Sequence, residues 1–161
     1  MMKRKLTHDA HSPFFYSLAV ASFAMPAFAA TEPRWFNAGD DLATSGRDVV
    51  AYFSLGNEDG VMGSDAHSTE HKGTIFHFAN AENLATFKAD PDKYAPRFGG
   101  YCAFAMSKGY FAPGDPDAWT VHEGALYLNA SKAIRARWAL RRASHIASGD
   151  TNWMNHFPGE R

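Results

Sequence analysis

The 161-residue chain contains one cysteine, Cys102, preceded by Gly99-Gly100-Tyr101. Paired glycines let the backbone turn sharply and come close to a neighbour, so this run is the first candidate binding loop. A lone thiol has three uses. It can pack as a small hydrophobe, for which Tyr101, Ala103, Phe104 and Ala105 supply apolar company. It can ligate a soft metal: Met106 lies four residues on, one helical turn away, and with a histidine brought in by the fold would complete a donor set suited to copper. It can act as a nucleophile, but that requires a base to lower its pKa and a third group to orient the base. Nothing adjacent in sequence supplies either, so the residues weigh against an enzyme. A single cysteine also excludes an internal disulfide and any four-thiolate zinc or iron-sulfur site.

The other chemistry-bearing residues are less pointed. Beyond residue 30 the histidines are His67, His71, His77, His122, His145 and His156, and none falls in an H-E-x-x-H pattern. His67 and His71 have i, i+4 spacing, but Gly63, Ser64 and Ser68 around them predict a loop, where a solvated pair is favoured over a zinc site. Asp48 beside Arg47 is either one half of a surface ion pair or a buried acceptor that ties a loop, and the structural role is favoured. Asp115 before Pro116 predicts a turn. Tyr52, Phe76, Phe78, Tyr101 and Phe104 suggest a pocket, although core packing accounts for such rings in a domain of this size. Tyr52, Asp48 and Asp115 are retained as supporting residues for the loop.

These residues need elements to hold them. Val49-Val50-Ala51-Tyr52-Phe53 is β-branched and aromatic and predicts a buried strand ending at Gly56-Asn57. Thr74 to Ala79 predicts a second strand, with Phe76 and Phe78 on one face and Ile75 and His77 on the other. Asn80 is placed to cap a helix with Glu82 in its first turn and Leu84 and Phe87 on one side, ended by Pro91. Trp119-Thr120-Val121 and Leu126-Tyr127-Leu128 flank His122-Glu123-Gly124-Ala125, a hairpin with Gly124 at the left-handed position. The longest helix is expected from Ser131 to about Ser148, with its alanines and Leu140 on one face. Ile134 and Trp138 lie on another face, among Arg135, Arg137, Arg141 and Arg142. This arginine-rich face reads first as solvated, and second as a dock for a partner or anionic lipid. A turn at Gly149-Asp150 then sets off a last short helix containing Trp153. The expected class is α+β: a small antiparallel sheet with helices packed on one face and a long C-terminal helix.

Composition fits one core, with 45% hydrophobic and 20% charged residues. Sixteen basic against 17 acidic side chains leave no uniform positive field, which argues against a nucleic-acid backbone as partner. The beginning of the chain reads as a secretory signal peptide, residues 1–29. Lys3-Arg4-Lys5 gives the positive start, Phe14 to Ala24 the apolar run, and Ala27-Phe28-Ala29 the small-x-small cleavage signal. The run is roughly half of the ~20 residues that cross a bilayer. No cysteine marks a lipoprotein junction, and consecutive arginines of a twin-arginine signal are missing. The expected product is periplasmic or secreted, mildly acidic, one domain over residues 30–161, with no transmembrane segment.

Three stretches in order carry a family likeness: Gly46-Arg47-Asp48-Val49-Val50-Ala51-Tyr52-Phe53 with Gly73-Thr74-Ile75-Phe76-His77-Phe78; Phe87-Lys88-Ala89-Asp90-Pro91-Asp92-Lys93-Tyr94; and Gly99-Gly100-Tyr101-Cys102-Ala103 followed by Asp115-Pro116 and Leu126-Tyr127-Leu128-Asn129. Together they resemble the YHS domain family in its secreted single-domain form. YHS domains elsewhere place two cysteines at the strand-to-helix junction and are taken as soft-metal binders. Here Ala79 and Asn83 occupy those places, so that site does not carry over. The resemblance implies a fold and a binding module, its small ligand or protein partner left open; the softness of the donors, not the resemblance, makes copper through Cys102 and Met106 the leading ligand. A structural or interaction protein with a core cysteine is the first alternative, and a thiol-dependent enzyme the second.

Overall fold

A computed structural model describes residues 33–36, 41–56 and 58–159, all within the compact unit Thr31–Arg161. The expected signal peptide falls outside the described residues. The expected α+β architecture is present, with its antiparallel strands divided between two hairpins.

The first hairpin pairs β1 (Ser64–His71) with β2 (Thr74–Phe78), His71 opposite Thr74. In β2, Thr74, Phe76 and Phe78 are buried while Ile75 and His77 face outward, the alternation a one-sided strand requires. The loop expected at Gly63 to Ser68 is instead the start of β1, a strand with a register shift between Ser64 and Ser68. Its polar sequence gives no hydrophobic alternation, because neither of its faces is core. On a strand, His67 and His71 lie roughly 13 Å apart at ~3.3 Å per residue, too far for one zinc ion.

α1 (Ala81–Ala89) starts as expected, with the Asn80 side chain accepting a hydrogen bond from the Asn83 N–H at 2.8 Å. Asp90 ends it and then caps α2 (Pro91–Tyr94), so Pro91 both stops one helix and opens the next. The second hairpin joins β3 (Asp115–His122) to β4 (Ala125–Asn129) through Glu123 and Gly124. Both residues are left-handed, with φ of 50° and 74°, as a type I′ turn demands. Successive residues of β4 point to opposite faces. Leu126 and Leu128 join Val49, Tyr52, Phe76, Phe78, Phe87 and Trp119 in one core, and Tyr127 joins Phe98, Met106, Trp138 and Trp153 in a second. Helix α1 packs on the first core through Phe87, and the helices later in the chain pack on the second through Met106, Trp138 and Trp153.

Three further expectations are corrected. Residues 49–53 are not a strand: Val49 and Val50 form a turn and Ala51–Phe53 a single 3-10 turn, because the Asp48 carboxylate takes the N–H groups a ladder would need. The helix expected over 131–148 is two, α4 (Lys132–Ala139) and α5 (Arg142–His156), broken at Leu140-Arg141. Its alanine and Leu140 face is not covered; Leu140 is 84% exposed. No turn occurs at Gly149-Asp150, which lie inside α5. A Cβ on Gly149 would stand 2.8 Å from the Phe98 ring, so that glycine lets two elements approach rather than ending a helix. No helix among the described residues is long and apolar enough to cross a membrane.

Candidate functional site

The Gly-Gly-Tyr-Cys run is as tight as its composition implies. Phe98, Gly99 and Gly100 are all left-handed, and a side chain on Gly99 would collide with the Arg34 carbonyl oxygen. Packing of the Phe98 ring against Tyr127 and Trp153 holds the strained conformation. The Tyr101 hydroxyl donates to the Pro33 carbonyl at 2.8 Å, and the Cys102 N–H donates to the Ala112 carbonyl at 2.9 Å. The loop then enters the short helix α3 (Ala103–Met106) with Cys102 as its N-cap.

That position decides what the thiol does. Cys102 is 2% exposed. Its Sγ accepts from the Ala105 N–H at 3.5 Å and lies 3.9 Å from Asn129 Oδ1, toward which the S–H donates. Asn129 Oδ1 also accepts the Phe104 N–H at 3.2 Å, so one buried amide ties the loop to the end of β4. Met106 is on the same turn, its N–H bonded to the Cys102 carbonyl at 2.9 Å, and is fully buried. Among the described residues no group of three His, Cys, Asp or Glu side chains is placed to hold a metal ion. His145, the one buried histidine among the described residues, faces the Trp138 carbonyl at 3.0 Å through Nδ1 and sets its ring against Phe104.

Asp48, Tyr52 and Asp115 gather elsewhere. Asp48 is fully buried and is the acceptor foreseen from sequence: Oδ1 takes the N–H groups of Val50 and Ala51 at 2.9 and 3.2 Å, and Oδ2 takes the Ala79 N–H at 2.9 Å and Asn83 Nδ2 at 2.6 Å. Ala79 and Asn83 therefore both donate to this one carboxylate. Arg47 turns away to pair with Asp117 at 2.9 Å. Asp115 opens β3 instead of forming the expected turn, and its Oδ1 accepts the Asp117 N–H at 2.9 Å where the register shifts between Asp115 and Trp119. The Tyr52 hydroxyl donates to the Pro116 carbonyl at 2.8 Å, and burial raises its pKa far above the ordinary phenol value, so it remains a proton donor.

Tyr52 also borders an open cleft of about 470 Å³. Tyr52, Phe53 and Leu55 form one side, Trp119, Thr120 and Val121 of β3 the floor, and Lys132, Arg135, Ala136 and Ala139 of α4, with Arg142, the other side. Trp119 is held by its Nε1 donating to the Glu58 carbonyl at 3.0 Å, and its ring lies 5.0 Å from that of Tyr52. Arg135 Nη1 donates to the Trp119 carbonyl at 3.0 Å.

No family model, curated protein or solved structure matches this chain. The likeness to YHS domains therefore rests on the quoted residues. Of the loop residues singled out from sequence, Gly99, Gly100, Tyr101, Cys102 and Met106 come together, in the interior. Asp48, Tyr52 and Asp115 belong to a separate structural knot behind the cleft. Arg135 and Arg142 belong to the arginine-rich face read from sequence as solvated or as a dock; their convergence with Trp119 on one cleft was not foreseen. One sequence signal was available: Lys132, Arg135, Ala136 and Ala139 fall at i, i+3, i+4 and i+7, a single helix stripe of two cations followed by two alanines.

Proposed function

We propose that this chain is an exported, non-catalytic binding module of YHS type in which Cys102 belongs to the fold and ligand contact falls to the cleft beside Trp119. The observation that carries the reading is the state of the thiol. It is enclosed, caps α3 and gives its proton toward Asn129, so both its acceptor and its donor capacity are already engaged. Copper ligation through Cys102 and Met106 would require breaking the cap and opening the interior. Catalysis would need a base against the sulfur, and the groups facing it are an amide oxygen and a backbone N–H. The signal-like first 29 residues support export, and the alternation of two hairpins with packed helices supports a scaffold that presents a surface.

The test is a titration with Cu(I) under reducing conditions, paired with a thiol reagent. No stoichiometric metal should bind, and the native thiol should react only at the rate of unfolding. Cys102→Ser, which keeps a donor and an acceptor at the cap, should remain folded. One tightly bound copper ion that disappears in Cys102→Ser would overturn the reading in favour of a metal module. Rapid labelling of the native thiol at neutral pH would overturn it in favour of thiol chemistry.

A further inference from the structure

We infer that the cleft between residues 52–56, β3 and α4 binds a small organic anion with an apolar body, its charged head held by Arg135 and Arg142. The inference rests on the binding-module reading above and supplies its ligand class.

The first argument is charge without a counter-ion. Arg47 pairs with Asp117, Arg97 with Asp150, and Lys132, at the mouth of the cleft, with Asp59 at 2.9 Å. Among the described residues neither Arg135 nor Arg142 meets a carboxylate, in a chain with more acids than bases. Arg137 and Arg141 are also unpaired, but they are exposed and water solvates them. Arg135 and Arg142 are half-buried. A partly desolvated guanidinium costs free energy until an anion completes it. Arg142 Nε is enclosed and has no hydrogen-bond partner. Its guanidinium lies over the Trp138 ring at 5.4 Å, with Nη1 3.4 Å from His122 Nδ1. Arg135 is steadied by the Trp119 carbonyl, which leaves its other N–H groups to act as a fork. Such a pre-positioned fork matches carboxylate and phosphate equally well in geometry.

The second argument is the wall. Phe53, Leu55 and Val121 are only partly buried, and the helix side opposite them is built from Ala136 and Ala139. Two alanines leave the volume unfilled where longer side chains would close it. An anion consisting of a head group alone would leave these apolar surfaces in water. A ligand with a short apolar body covers them, and the cleft falls in the size range of small-ligand sites.

Calorimetric titration of the purified protein with octanoate and with octyl phosphate tests this. Octyltrimethylammonium and inorganic phosphate serve as the charge-reversed and head-only controls. At least one of the two anions should bind saturably, one per chain, and the tighter of them identifies the head group as carboxylate or phosphate. Both controls should bind at least about tenfold more weakly. The double variant Arg135→Gln with Arg142→Gln should weaken the anion by about tenfold or more, the effect of losing charged hydrogen bonds. Ala136→Trp, at an exposed helix position, should block the cleft with the thermal midpoint unchanged. Failure of both anions to saturate in the millimolar range would overturn the inference, as would equal binding of either control or indifference to Ala136→Trp. A cleft that stays empty while Cys102 proves inert removes only the ligand assignment; a saturable cleft beside a reactive Cys102 removes only the non-catalytic reading.

Discussion

Replacing Asp48 by alanine should be among the most damaging single changes in the protein. The carboxylate is fully buried, makes no ion pair among the described residues, and accepts from four N–H donors in three segments: Val50 and Ala51 after it, Ala79 just past β2, and Asn83 on α1. Alanine leaves those donors without an acceptor. Each unsatisfied buried donor costs about 1 to 3 kcal/mol, and water can reach the partly buried ones. Two to three effective losses give about 3 to 6 kcal/mol, a large share of the roughly 5 to 15 kcal/mol that holds a domain together. Asp48→Asn keeps the volume but points an amide N–H₂ at two existing donors, so it should recover little. Since either variant can fail to fold, Asn83→Ala is the gentler probe: it removes one of the four donors and should cost about 1 to 2 kcal/mol. Urea unfolding followed by tryptophan fluorescence measures all three, with the slope checked for a constant m. An Asp48→Ala loss below about 1 kcal/mol would refute the argument that this one side chain pins three segments.

Two further outcomes follow from the same geometry. Trp138 is fully buried against Tyr127, so Trp138→Ala should cost about 3 to 5 kcal/mol; Trp138→Phe should cost much less because the indole N–H has no partner to lose, and an alanine cost under about 0.5 kcal/mol would place the ring at the surface. His71 packs edge-on against Phe87 and Trp35, and burial, with the Lys72 ammonium, lowers its pKa against the opposing pull of Asp92. The unfolded chain therefore binds this proton first. Stability should be full above pH ~6.5 and fall as the pH drops through the lower folded value, and His71→Phe should flatten that part of a urea-midpoint profile; an unchanged slope would rule His71 out as its source.

Local rules made β2, the Asn80 cap and the β3–β4 hairpin legible in the sequence, because each is settled by a few adjacent residues. What failed was set from a distance. Val49 to Phe53 has strand composition, yet Asp48 withdraws the N–H groups of Val50 and Ala51; an aspartate directly before the run was the available sign of a cap. Gly149 looked like a stop because its conformational role is common, whereas here it makes room for Phe98, 51 positions earlier in the chain. The break at Leu140-Arg141 carries no glycine or proline to announce it. The candidate loop was read correctly as a tight turn, but whether a thiol faces solvent or the core depends on Asn129, at the far end of β4. Arg135 and Arg142 became a pair only when α4 ended between them and the Tyr52 segment closed the opposite side.

The polar character of β1 has a consequence for how the molecule behaves in company. Its inner edge is paired with β2, and no strand among the described residues covers its outer edge. An uncovered edge is a template on which a second molecule, another copy of this chain included, can add a strand. β1 discourages that growth. Asp65 and Glu70 stand along it, their charges repelling an identical neighbour in an in-register stack, and the irregular register between Ser64 and Ser68 bends the line of free amides that such a neighbour would need. The apolar strand β2, whose Ile75 is the exposed hydrophobe of that hairpin, is thereby fenced in on one side by a charged strand and on the other by the Leu42 bridge to Ile75.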